Sequence, residues 1–292
     1  MNVLIPGTVS VSHKETFIRN FQQATHNTGR LFLFAGDQKV EHLNDDFVGS
    51  DISPESADPE HLFKIAQKSR IGAFATQLGL VARYGSRYPT IPYVIKISGK
   101  TNLVSSKQME PVSHQWTTVD QVVAFQKNTG LNILGVGMTV YLGSEYEGQM
   151  LADAAQMVLQ AHAHGLLAIV WVYPRGKAVS NERTVELIAG AAGVANCLGA
   201  DFVKVNQPEG SFETVVAAAG NTGVLCSGGS KRDQRQFLEE LHQQIHVGGT
   251  AGVAVGRNIH QRNLSDAVAF CDAIAAIVLD NSDVRTASAK LG

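Results

Sequence analysis

Cysteine is scarce in this chain. Cys197, Cys226 and Cys271 are its three cysteines, far apart, with no CxxC pair and no Cys/His cluster. A structural zinc site is therefore not expected. An excess of one charge is also lacking: 24 basic against 26 acidic residues leave a net charge of −2. Such a balance carries no electrostatic footprint for nucleic acid or an anionic membrane surface. No apolar run approaches the roughly 20 residues that span a bilayer. The N-terminus, MNVLIPGTVSVSHKETF, lacks the basic segment, apolar core and small-residue cleavage site of a signal peptide. A soluble, cytoplasmic protein is the expectation. Internal repeats and low-complexity tracts are missing too.

What is present reads as an ordinary globular composition, 44% hydrophobic and 17% charged. Twenty-eight glycines against eight prolines point to many tight turns or close approaches of backbone to ligand. The 292 residues suit one (β/α)8 barrel, which needs roughly 250. From Leu31 onward short apolar runs recur: Leu31–Gly36, Gly72–Thr76, Tyr93–Ile97, Ile133–Val140, Leu167–Val172, Phe202–Val205, Gly223–Cys226 and Gly252–Val255. Most are apolar throughout, the pattern of parallel strands covered on both faces. Between them lie segments of helical spacing. Leu151, Ala155, Val158 and His162 form one stripe, stopped by Gly165; Phe237, Leu238, Leu241 and Ile245 form another. Thr184–Gly199 and Ser265–Leu279 are Ala-rich and suited to close packing on a sheet.

Strand–helix alternation with eight strands predicts an α/β fold, a TIM (β/α)8 barrel, as a single domain over residues 1–292. Residues 1 to about 30, with a helix at His13–Ala24, would precede it as an N-terminal extension. An open doubly wound sheet would read similarly, but the count of eight and the polar residues at strand ends favour the barrel. Residues 38–60 form a polar loop of a length that is uncommon without a function.

Barrel chemistry sits at the C-terminal ends of the strands. Lys204, in ADFVKVNQP, interrupts an apolar strand. Burial penalises an ammonium, yet only a neutral amine attacks a carbonyl. Such a lysine is either a nucleophile or one half of a buried ion pair. Lys96, in PYVIKISGKT, is its rival, as the imine-forming residue itself or as a neighbour of a phosphate or carboxylate. Trp171 and Tyr173, at i and i+2 in AIVWVYPRG, share one strand face. Tyr173 lies where a phenol can move protons, or both rings merely fill the barrel mouth. Arg175 follows, pointing into the mouth or into solvent. Asp37 ends the first strand in LFLFAGDQK, placed to orient an amine, to assist loss of water, or to cap the next segment. Two Gly-rich turns follow the last two strands: Cys226-Ser227-Gly228-Gly229-Ser230, opening into the KRDQRQF helix, and Gly256-Arg257-Asn258, opening into NIHQR. Barrels bind phosphate at these two loops through backbone N–H groups and a helix N-terminus, and Arg257 can fork onto phosphate oxygens. The ten histidines are scattered. His162 and His164 are at i, i+2. His242 and His246 are at i, i+4, without a strand-end carboxylate to complete a metal site. No metal and no cofactor are expected.

Taken together and in order, AGDQKVEHLNDDF, GSEYE, WVYPRG, ADFVKVN, CSGGSK and GVAVGRNIHQ resemble the archaeal-type class I fructose-bisphosphate aldolases, from about Leu31 to Gln261. The resemblance implies a TIM barrel with a Schiff-base lysine, Lys204, on the sixth strand. It implies Tyr173 as the main acid/base group, Asp37 as an aid to imine formation, and Trp171 as a lining residue. Ser227, Gly228, Gly229, Gly256 and Arg257 would hold one phosphate and Arg175 a second. It further implies a phosphorylated sugar substrate and a homo-oligomer. Many relatives carry Asp-His-Gly where this chain has Asp37-Gln38-Lys39, followed closely by Glu41 and His42, so the neighbours of the aspartate differ. The same superfamily includes aminodideoxyheptulosonate synthases and the thiolase of a phosphorylated autoinducer. A metal-dependent aldolase and a non-catalytic phosphosugar-binding protein are the remaining alternatives.

Overall fold

The computed structural model describes residues 3–41, 46–102 and 110–291. Their strands are β1 (Leu31–Ala35), β2 (Ala73–Gln77), β3 (Tyr93–Lys96), β4 (Ser98–Gly99), β5 (His114–Gln115), β6 (Ile133–Leu142), β7 (Leu167–Pro174), β8 (Phe202–Val205), β9 (Gly223–Ser227) and β10 (Gly252–Val255). β4 and β5 make a small antiparallel pair; the other strands close a parallel barrel in the order β1-β2-β3-β6-β7-β8-β9-β10. Pairing of β10 with β1, from Leu31↔Gly252 to Phe34↔Val255, removes the open edge that a doubly wound sheet would keep. The fold is a TIM barrel. Helices Glu60–Lys68, Leu78–Tyr84, Val119–Thr129, Glu147–Ala163, Val185–Cys197, Glu213–Ala219, Gln234–His246 and Leu264–Val278 follow the successive barrel strands.

Alternation along each strand divides the apolar residues into two layers. Phe32, Phe34, Phe74, Ile95, Val170, Val203 and Val255 point outward and pack under the helices. Leu33, Ala73, Ala75, Val94, Ile169, Phe202, Leu225 and Ala254 point inward and fill the barrel. The N-terminal helix Lys14–Ala24 belongs to this inner layer: Phe17 and Ala24 are buried in it, and the Phe21 ring stacks on Phe202 at 5.6 Å. Residues before β1 thus plug the end of the barrel opposite the strand C-termini.

Several boundaries depart from the sequence expectation for physical reasons. β6 and β7 extend past the apolar runs because Tyr141↔Tyr173 and Leu142↔Pro174 continue the ladder. The buried stripe of Glu147–Ala163 is Met150, Ala154, Met157, Val158, Ala161 and His162; Leu151 and Ala155 are only half-buried at its border. The helix after the first Gly-rich turn begins at Gln234, capped by Asp233, so its N-terminus does not open directly from Gly229. Within the polar loop there are a short helix, Gln38–Glu41, and a 3-10 turn, Pro54–Ala57. His42 lies outside the described residues.

Candidate active site

The inward-facing rows of side chains are apolar low in the barrel and polar at its C-terminal rim. Continuing the alternation past Leu33 and Ala35 reaches Asp37; past Val94 it reaches Lys96. On β7 it runs through Trp171 to Tyr173, on β8 from Phe202 through Lys204 to Asn206, and on β9 from Leu225 to Ser227. A cavity of about 140 Å³ at this rim is lined by Asp37, Asn102, Tyr141, Trp171, Tyr173, Arg175, Lys204, Asn206, Ser227, Gly228, Gly229, Ala254, Gly256 and Arg257. All ten site residues expected from the sequence lie around this one cavity.

At its floor Lys204 is 5% exposed, in register with Trp171 across the β7–β8 pair. Its Nζ lies 5.8 Å from the centre of the Trp171 ring. Lys96, the rival amine, has a fully buried side chain, 5.2 Å from the same ring, and its Nζ donates to Asp37 Oδ2 at 2.7 Å. Burial alone would raise the Asp37 carboxyl. The charges of Lys96 and Lys204 and the Lys96 hydrogen bond outweigh it and hold Asp37 below the usual carboxylate range. Asp37 is therefore ionised at neutral pH. Among the described residues, Asp37 Oδ1 and the Trp171 indole N–H are buried without a hydrogen-bond partner and are available to a polar substrate atom. Trp171 fits because β6 has glycine at 137, in register with Ile169: a Cβ there would come within 2.3 Å of the indole and 2.5 Å of the Ile169 carbonyl.

The two Gly-rich turns meet above Lys204. Asn258, fully buried, ties them together by donating to the carbonyls of Gly228 and Ser230, both at 2.9 Å, and accepting from the backbone N–H of Arg232 at 3.0 Å. Gly228 already gives its own N–H to Ala254 at 2.9 Å, so it offers the cavity a bare backbone surface rather than that donor. Helix Arg257–His260 starts directly after Gly256, so Arg257 and Asn258 belong to its first turn rather than to the loop before it. The Arg257 guanidinium sits 3.7 Å from Asp46 Oδ1, and its Nε is buried with no protein acceptor among the described residues. Asp46 belongs to the long loop after β1, whose Phe47 stacks on His260 at 4.5 Å and lies beneath Lys39 Nζ at 4.0 Å. Burial keeps His260 uncharged, pushed down to about 3, so that stacking face is apolar at neutral pH.

On the other side of Lys204, Tyr141 and Tyr173 lie side by side with ring centres 6.3 Å apart. The Arg175 guanidinium rests 5.8 Å from each ring and forks onto Glu182, with Nε to Oε1 at 3.0 Å and Nη2 to Oε2 at 2.8 Å. Burial would lower the Arg175 pKa, but its bonds to Glu182 raise it above the ordinary guanidinium value. Tyr141, Asn206 and Glu182 do not stand out in the sequence, and Asn258 does so only as a member of the second Gly-rich turn. Tyr141 and Asn206 were findable, since each stands two residues beyond an inward-facing position. The tie made by Asn258 joins two loops about 30 residues apart, and Glu182 folds back on Arg175 within one irregular loop, so neither pairing follows a strand or helix period. No group of three or more His, Cys, Asp or Glu among the described residues is arranged to hold a metal ion.

Residues 31–262 match the model of the DeoC/LacD family aldolases. The chain belongs to this family. It is 51% identical over 291 residues to the fructose-bisphosphate aldolase/6-deoxy-5-ketofructose 1-phosphate synthase of Methanocaldococcus jannaschii, covering 98% of this chain and 93% of that one. Among solved structures it is similar to the fructose-bisphosphate aldolase of Slackia heliotrinireducens, with a TM-score of 0.97 and 50% identity over 99% of this chain and 94% of that one. An archaeal fructose-1,6-bisphosphate aldolase, solved with its catalytic lysine covalently bound to the carbinolamine intermediate of its substrate, matches with a TM-score of 0.77 and 33% identity, over 90% of this chain and 99% of that one. This DeoC/LacD aldolase is an aldehyde-lyase of the archaeal-type class I fructose-bisphosphate aldolase family. No helix among its described residues is long and apolar enough to cross a membrane.

Proposed function

We propose that this aldolase cleaves fructose 1,6-bisphosphate reversibly, through an imine on Lys204, into dihydroxyacetone phosphate and glyceraldehyde 3-phosphate. The observation that carries this reading is the placement of one amine: Lys204 lines the cavity floor between an ionised aspartate, a tyrosine and two Gly-rich turns. Of the two buried lysines it is the one bordering the cavity, whereas Lys96 is engaged by Asp37.

Once it has given up its proton, Lys204 attacks the C2 ketone, and loss of water from the carbinolamine yields a protonated imine. That cation draws electrons from the C3–C4 bond, which breaks as Tyr173 takes the proton of the C4 hydroxyl. The enamine left on Lys204 is reprotonated and hydrolysed to release the triose phosphate. Asp37, held ionised, suits orientation of the amine and stabilisation of the iminium charge rather than service as a resident acid. Trp171 provides an apolar wall beside the imine. The C1 phosphate is two bonds from the imine carbon, so its place is the neighbouring loops after β9 and β10, with Ser227, Gly228, Gly229, Gly256 and Arg257. The leaving aldehyde then points toward Arg175, which would meet a second phosphate.

A second reading is favoured by the 51% identity to a relative named for two activities, one of them synthesis of 6-deoxy-5-ketofructose 1-phosphate. That product carries one phosphate, and its formation would use the same imine and the same C1 phosphate loops. The purified protein should release both triose phosphates from fructose 1,6-bisphosphate in a coupled assay. Tyr173→Phe should retain borohydride trapping while cleavage falls at least 10²-fold, the usual weight of a general acid–base group. Undiminished cleavage by that variant would remove Tyr173 from the mechanism.

A further inference from the structure

The two arginines at the cavity differ in how far their donors are already used. Arg257 has a single distant carboxylate contact, at 3.7 Å, and a buried Nε with no protein acceptor among the described residues. A phosphate arriving there completes the guanidinium's hydrogen bonds and costs the protein no close contact. Arg175 is in the opposite condition. Its backbone N–H donates to the Leu142 carbonyl at 2.8 Å, its guanidinium lies against Tyr141 and Tyr173, and its fork is filled by both oxygens of Glu182.

A carboxylate and a phosphate occupy the same guanidinium geometry, so they compete for it. Glu182 is held in place for this contest by its neighbours. Asn181 donates to Glu209 Oε2 at 2.9 Å, and Arg183 Nε donates to the Gln207 carbonyl at 3.0 Å, both in the segment following β8. The pair is also breakable: Arg175 and Glu182 side chains are 43% and 37% exposed, and ion pairs so exposed are weak. A phosphate at this end either displaces Glu182 from the Nε–Nη2 edge or binds the Nη1 edge beside the same carboxylate, and each costs affinity. A neutral group at the same end leaves the pair intact.

Resting on the aldolase reading above, we infer that Glu182 is a specificity-determining residue. By occupying the Nε–Nη2 edge of Arg175 it makes the phosphate at the leaving end optional, while the phosphate beside the imine meets Arg257, whose carboxylate neighbour Asp46 stands off at 3.7 Å. The substrate class is then the 1-phosphorylated 2-ketoses whose far end is either phosphorylated or uncharged.

The test compares kcat/KM for fructose 1,6-bisphosphate with that for fructose 1-phosphate, in the wild-type protein and in Glu182→Gln. The isosteric amide keeps the shape of a partly exposed side chain and removes its charge. The ratio, bisphosphate over monophosphate, should rise about tenfold in Glu182→Gln, mainly through a lower KM for the bisphosphate. Adding Arg175→Met to that variant should abolish the gain. A ratio that stays level or falls in Glu182→Gln overturns the gate while leaving the aldolase reading standing. Failure of the wild-type protein to cleave either ketose sinks that reading, and the gate with it.

Discussion

Two lysines, Lys96 on β3 and Lys204 on β8, approach one tryptophan from either side, and Asp37 is bonded to the first of them. Lys96 is bonded to Asp37 at 2.7 Å and fully buried, whereas Lys204 borders the cavity. Nothing in the two strand sequences makes this distinction, because each is an apolar run interrupted by lysine. It emerges only when β1 and β3, on either side of β2, bring Asp37 and Lys96 to the same level. Asp37→Asn should therefore destabilise the fold by about 3–5 kcal/mol, since it removes the carboxylate from a buried ion pair. The pH dependence has a definite sign. The folded carboxyl lies below its unfolded value near 3.9, so its stabilisation is complete above that pH and fades as pH falls through the folded pKa. Denaturation midpoints of wild type and Asp37→Asn should converge on acidification below about pH 4. A gap that stays constant from pH 5 to pH 3 would show that Asp37 does not titrate as described.

At the scale of elements, all eight barrel strands were legible, because a parallel barrel demands continuous apolar runs and this chain supplies them. Ends were less so. The hydrogen-bonded ladder, not the apolar character, decides where a strand stops, which is why β6 and β7 carry on through Tyr141 and Tyr173. The start of helix Gln234–His246 was misplaced for a related reason. Asp233 caps it by accepting from the Gln236 N–H, while Ser230 to Arg232 are occupied with the loop bearing Asn258. Glycine positions also sort by surroundings that no sequence displays. Gly137→Ala would press a methyl into the Trp171 ring and the Ile169 carbonyl, costing about 1–3 kcal/mol or more. Gly79 has nothing within 4 Å of its added Cβ and lies within helix Leu78–Tyr84, so Gly79→Ala should stabilise by about 0.5–1 kcal/mol. Thermal unfolding of the two variants should shift in opposite directions; equal shifts would contradict the close packing assigned beneath Trp171.

Across the whole molecule, stability and chemistry are assigned to opposite ends of the barrel. The N-terminal helix seals one end with Phe17 and Phe21, and the strand C-termini gather the charged groups at the other. A net charge of −2 hides this asymmetry: Lys204, Arg175 and Arg257 all border one cavity of about 140 Å³. That concentration of cations at the end of an apolar barrel is what a phosphorylated carbonyl compound requires. The resemblance of the strung-out motifs anticipated it because each motif sits at a strand end, where sequence order becomes spatial proximity. The most direct test is reduction with borohydride in the presence of dihydroxyacetone phosphate, followed by peptide mapping. The adduct should appear on Lys204 and vanish, together with turnover, in Lys204→Met. An adduct on Lys96, or turnover that survives Lys204→Met, would contradict the assignment.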